Sequence, residues 1–185
     1  MATGLASKSE LRMSFLRYAL VTVPAVLLLG ILSGRASNSG YGNAWFAALE
    51  KPPFMPPSWA FPVAWTTLYI LLGLVLAMIL HARGAHGRGP VLGLFLAQLV
   101  LNFSWSPIFF AAHQVRLALM VIVAMLVISA VATFLVRRIR PVAALLMLPY
   151  LAWLAFASLL NYEIAARNPN AETLVPAGPS ADIAL

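Results

Sequence analysis

Apolar residues fall in five long runs, separated by short polar or basic breaks. The runs cover Phe15 to Leu32, Ser58 to Leu80, Val91 to Ala111, Leu117 to Val136 and Pro141 to Ala166. A membrane helix needs about 20 mostly apolar residues, with a lower limit near 17, and each run can reach it. The pattern predicts an all-α membrane protein, a five-transmembrane-helix bundle over residues 15–167. Residues 1–14 read as a loose polar extension. Residues 168–185, with Pro169, Pro176 and Pro179 and no periodicity, read as a disordered tail. The first run, with basic residues before it and Gly34-Arg35-Ala36 after it, also matches a cleavable signal peptide. Pro24 and Gly30 are at home in membrane helices, and the run can span, so a retained first helix is the favoured reading.

Between the first two runs lies the longest break, residues 35–57, too aromatic for a solvated linker. It ends in KPPFMPPSWAFPVAWTTLY, from Lys51 to Tyr69. Pro52, Pro53, Pro56 and Pro57 lack amide donors and push their predecessors away from helical angles, so they predict a stiff, extended segment. Ser58 is placed to cap the helix that follows, with Pro62 in its first turn. Phe61, Trp65 and Tyr69 recur at i, i+4 and i+8, which stacks three rings on one helix face.

Composition sharpens this picture. The chain is 62% hydrophobic and 9% charged, with a mean hydropathy of +0.91, against about a quarter charged in soluble domains. No cysteine is present, which excludes disulfides, thiolate nucleophiles and Cys-ligated metals. The net charge of +7 is not arranged as a basic stripe with interleaved aromatics, so nucleic acid is not an expected partner. The lipid bilayer is. Five spans put Lys8, Arg12, Arg17, Arg83, Arg88, Arg137, Arg138 and Arg140 on the amino-terminal face. Arg35, Lys51, Arg116 and Arg167 fall on the other. Under the positive-inside rule the amino terminus is cytoplasmic in a bacterial membrane, with the long loop opposite.

Two later runs carry polar groups at membrane depth. In QLVLNFSWSPIFF, Gln98, Asn102, Trp105 and Phe109 share one face. An unpaired amide in hydrocarbon costs several kcal/mol, so Asn102 must point inward. In LPYLAWLAFASLLN, Tyr150, Trp153, Ala157 and Asn161 share a face, and small Ala157 leaves a recess between larger neighbours. Each stripe alone is accounted for by an interfacial aromatic belt or by helix–helix packing. Three stripes, two with an inward amide, point to an apolar pocket for a large, flat ligand. Leu160, Tyr162 and Arg167 also satisfy the loose sterol-contact pattern, a weak signal. No proton relay, metal cluster, nucleophile–base pair or phosphate loop is recognisable, so no catalytic or metal-binding residue is expected.

In this order, KPPFMPPSWAFPVAWTTLY, QLVLNFSWSPIFF and LPYLAWLAFASLLN resemble the TspO/MBR family of translocator and tryptophan-rich sensory proteins. The likeness covers roughly Phe15 to Asn168. It implies a five-helix bundle, commonly a homodimer, in a bacterial cell envelope or a mitochondrial outer membrane. It also implies that porphyrin or haem is bound as ligand rather than as an obligatory cofactor, with cholesterol and synthetic drugs bound in animal relatives. Carried over by motif, the ligand site takes Trp45 from the loop and Phe61, Trp65 and Tyr69 from the second span. Asn102 and Trp105 come from the third span, and Trp153, Ala157 and Leu160 from the fifth. The expected function is tetrapyrrole sensing, regulation or transport. The alternatives are light- and oxygen-dependent porphyrin degradation, which some bacterial relatives perform, and a ligand-free scaffold. Phe54 stands where a Trp is common in the family, and Pro53 also departs from the pattern, which weakens the degradation reading. The scaffold would dimerise through the small-residue pairs Gly73/Ala77 and Gly93/Ala97.

Overall fold

The computed structural model describes residues 7–175. Its first helix, α1, runs from Lys8 to Ala36 and starts earlier than the apolar run. Ser7 explains why. Its Oγ accepts from the Glu10 amide at 3.2 Å, and the Glu10 carboxylate accepts from the Ser7 amide at 2.6 Å. This capping box satisfies donors that the helix start leaves unpaired. Of the expected loose extension, residues 8–14 are therefore helical, and residues 1–6 lie outside the described residues.

The short α2 (Ala44–Ala48) lies within the long loop. Next come α3 (Ala60–His81) and α4 (Arg88–Ser106), the latter continuing as a π-turn over Pro107–Ala111. The chain then forms α5 (Val115–Val136), α6 (Pro141–Arg167) and a 3₁₀ turn at Ala171–Thr173. Five of these helices are long and apolar enough to cross a membrane. No strand occurs among the described residues. Ser58 does not cap α3. Trp59 holds the cap position without a side-chain bond, and the chain enters through a turn closed by the Ala60 amide on the Pro57 carbonyl at 2.9 Å. Of the expected tail, residues 168–174 are placed against the bundle, and residues 176–185 lie outside the described residues.

In the bundle α1 packs on α3, α3 on α6, and α5 against both α4 and α6. Gly73 sets the first of these distances, since a Cβ there would lie 2.5 Å from the Val23 Cα. Thr22 Oγ1 donates to the Gly73 carbonyl at 2.7 Å across the same contact. Gly73 and Ala77 are thus buried inside the chain and offer no face to a second copy, whereas Gly93 and Ala97 face outward. Leu72, Val75, Phe95, Met125 and Leu154 lie in the central core, and Trp45, Phe46, Phe109, Phe110 and Ile164 in a second cluster at the loop end.

Candidate ligand-binding site

A cavity of about 680 Å³ lies at the loop end of the bundle. Phe61, Trp65, Tyr69, Asn102, Trp105, Trp153, Ala157 and Leu160 all line it. Trp45 does not. It is 2% exposed, stacked on His113 with ring centroids 4.3 Å apart, and donates its Nε1 hydrogen to the Ala171 carbonyl at 2.9 Å. Trp45 is a structural post behind the cavity, and the loop aromatics that reach the cavity instead are Tyr41 and its neighbour Phe46.

Stacked ring pairs stand on two helices. Trp65 stacks on Tyr69 at 5.3 Å along α3, and Trp105 stacks on Phe109 at 4.9 Å at the end of α4. From α6, Trp153 presents itself edge-on to Trp65 at 6.3 Å and to Phe61 at 6.0 Å. The π-turn matters here. Its Ala112 amide bonds back to the Pro107 carbonyl at 2.9 Å, and the extra residue lets consecutive Phe109 and Phe110 both face inward.

Beneath the cavity runs a buried polar chain. Tyr69 OH donates to Asn102 Oδ1 at 3.0 Å, Asn102 Nδ2 donates to Tyr150 OH at 2.9 Å, and Tyr150 OH donates to Gln98 Oε1 at 2.7 Å. The inward amides of α4 thus find partners on α3 and α6, as a low-dielectric interior requires. Asn102 lines the cavity with both polar atoms already bonded to tyrosines, so it positions Tyr69 before it meets any ligand. By contrast, Trp105, Trp153 and Asn161 line the cavity, and their Nε1, Nε1 and Oδ1 atoms are buried with no protein partner among the described residues. Two donors and one acceptor beside the cavity are thus left unpaired by the protein.

The loop closes the top and is fastened at both ends. Asn43 caps α2, accepting from the Phe46 amide at 3.0 Å and donating to the Phe110 carbonyl at 3.2 Å. Lys51 Nζ donates to the carbonyls of Phe46, Ala47 and Leu49 at 2.7, 3.1 and 2.9 Å, and burial holds its amine below the usual lysine range. Asn168 grips Glu50 by its backbone, accepting from the amide and donating to the carbonyl, both at 2.8 Å. Arg167 pairs with Glu50 at 3.4 Å and with Glu163 at 3.2 Å. Tyr41 OH, its pKa raised by burial, donates to the Pro56 carbonyl at 2.9 Å.

Sequence reasoning missed the share of α1, which contributes Gly30, Gly34 and Arg35 to the lining. A Cβ at Gly30 would run into the Tyr69 ring, so glycine is what allows that ring to stand where it does. Arg35 brings the one cationic side chain that lines the cavity among the described residues. No histidine, cysteine or carboxylate lines it, and no three metal-binding side chains converge among the described residues.

The sequence profile of the TspO/MBR family matches residues 21–167. The chain belongs to that family. Translocator protein of Bos taurus is 39% identical over 138 residues, covering 74% of this chain and 82% of the relative. Tryptophan-rich protein TspO of Archaeoglobus fulgidus is 40% identical over 147 residues, covering 80% and 94%. Protein CrtK of Rhodobacter capsulatus is 36% identical over 130 residues, covering 69% and 80%. This TspO/MBR protein is an integral, multi-pass membrane protein. The names of these relatives speak of translocation and tryptophan content rather than of an enzymatic reaction.

Proposed function

We propose that this chain binds a carboxylate-bearing tetrapyrrole, porphyrin or haem, in the loop-end cavity and acts as its sensor, regulator or transporter. One observation carries the reading. Aromatic walls that include Trp65, Trp105 and Trp153 line the same cavity as a guanidinium, Arg35. A flat macrocycle stacks on the rings, its apolar area leaves water or lipid, and its acidic edge meets Arg35. A sterol would use the walls and leave the guanidinium without a partner. Binding by stacking also fits a wall without histidine or cysteine to ligate a metal.

The test is titration of protoporphyrin IX into detergent-purified protein, followed by the absorbance of the porphyrin, beside a parallel titration with its dimethyl ester. Free acid should bind at least about tenfold tighter than ester, and Arg35→Gln should erase the difference. Trp153→Leu and Ala157→Leu should weaken both ligands. Equal affinity for wild type and all variants would mean the dye only enters the micelle, and the proposal would fall.

Three cavity tryptophans, Trp65, Trp105 and Trp153, also suit the alternative of light- and oxygen-dependent porphyrin degradation. Phe54, where the family commonly has another Trp, packs on Phe156 at 6.4 Å and does not line the cavity. Its loss therefore removes no cavity ring. Illumination of the complex with and without oxygen decides between bound porphyrin that persists and porphyrin that is consumed.

A further inference from the structure

The opposite end of the bundle holds a second cleft, built from three segments far apart in the chain. Arg17 and Tyr18 of α1 line it, with His81 at the end of α3, Arg83 from the α3–α4 turn and Arg140 from the α5–α6 turn. Its charge is not balanced from within. Among the described residues Glu10 is the one carboxylate on this face, and it is taken up by the Ser7 cap. Glu50, Glu163 and Glu172 are all at the loop end, as are both ion pairs. Arg83 is oriented for a ligand: it donates to Tyr18 OH, with its guanidinium 5.6 Å from the centre of the Tyr18 ring. His81 braces that ring edge-on at 6.2 Å. The side chains of Arg17 and Arg140 make no hydrogen bond or ion pair among the described residues.

The cleft is not purely polar. Leu11 and Val21, 48% and 67% exposed, line it too, and Leu20 and Leu28 further along α1 are exposed as well. At about 1.5 Å per residue, the 29-residue α1 is about 43 Å long. That exceeds a hydrocarbon core of about 30 Å, so the first turns of α1 reach the headgroup layer. Guanidinium groups at headgroup depth beside an apolar flank match one ligand chemistry, a phosphate anion carrying acyl chains.

We propose that this cleft is a specific site for an anionic phospholipid, its phosphate held by Arg17, Arg83 and Arg140 and its chains lying along α1. The site is separate from the tetrapyrrole cavity and stands or falls independently of it.

Native mass spectrometry of the detergent-purified chain tests this with three probes: dihexanoyl-phosphatidylglycerol, dihexanoyl-phosphatidylcholine and glycerol 3-phosphate. Wild type should retain the phosphatidylglycerol about tenfold better than the phosphatidylcholine, and glycerol 3-phosphate far less than either. The double variant Arg17→Gln/Arg140→Gln removes no internal bond and should abolish that preference. The control Arg137→Gln/Arg138→Gln subtracts the same charge from the same face. Its arginines lie over the Phe134 ring at 4.2 and 5.5 Å and outside the cleft, so the preference should survive. Equal loss in both double variants would reduce the effect to diffuse attraction and overturn the site. Glycerol 3-phosphate held as well as the lipid would make it a site for soluble phosphate and overturn the lipid assignment. The wild-type comparison needs no variant to fold, and equal retention of the two lipids alone overturns the proposal.

Discussion

The two ends of this bundle solve opposite problems. At the loop end every described carboxylate has a partner within the chain, and the loop is pinned by Asn43, Lys51 and Asn168. At the other end seven arginines, Arg12, Arg17, Arg83, Arg88, Arg137, Arg138 and Arg140, face one described carboxylate, Glu10. Arg88 is spent on the carbonyls of Ile79 and Leu80, at 2.8 and 3.1 Å, closing the end of α3. Near-balance at one end, where Arg35, Lys51, Arg116 and Arg167 meet Glu50, Glu163 and Glu172, leaves one guanidinium, Arg35, lining a cavity. Charge left over at the other end must be neutralised from outside the chain. The contrast separates a compartment from a surface.

The join between the two ends is the most sensitive place to break it. Asn102→Leu would strand the hydroxyls of Tyr69 and Tyr150 in the interior. Losing their partners should cost about 2–3 kcal/mol, read as a lowered thermal midpoint in detergent. An unchanged midpoint would mean that packing alone connects cavity and core. Ala157→Leu acts on the loop end only. It should weaken protoporphyrin binding at least tenfold, about 1.4 kcal/mol, while the midpoint holds or rises, because the side chain fills space that ligand would occupy. A fall in both would show that the recess is too small to take a leucine. Asn168→Ala removes the grip on Glu50 and should cost about 1 kcal/mol, seen as faster porphyrin release in stopped-flow exchange. Release at the wild-type rate would show that the loop stays closed on its other fastenings. Smallest of all, Arg137→Gln/Arg138→Gln should change stability by less than about 0.5 kcal/mol, read as a nearly unmoved midpoint, since both arginines are exposed. A larger drop would mean that the basic end carries the fold.

How much of this could be read from residues alone follows from what lipid demands. The five spans were legible because apolar runs of that length have few other uses. The inward faces of α4 and α6 were legible because Gln98, Asn102 and Asn161 could not be left in hydrocarbon. The helix α1 offered no such mark. It is apolar on most sides, so nothing in its pattern says that Gly30 and Arg35 reach the cavity. Trp45 was misplaced for a different reason. Its orientation is set by His113 and Ala171, residues 68 and 126 positions away, and no local spacing encodes that. The early start of α1 was written in Ser7 and Glu10, a spacing easily overlooked in a polar stretch. The small helix α2 depends on Asn43 reaching the Phe110 carbonyl, again a partner that only the folded chain supplies.

The family match stops at Arg167, yet Asn168 and Ala171, just past it, hold Glu50 and Trp45. A chain shortened after Arg167 would keep all five spanning helices while losing the catch on its own lid. Protease trimming or a recombinant stop codon at that point would yield a protein that inserts normally with its loop unfastened from Asn168 and Ala171. One ended after Val175 would not.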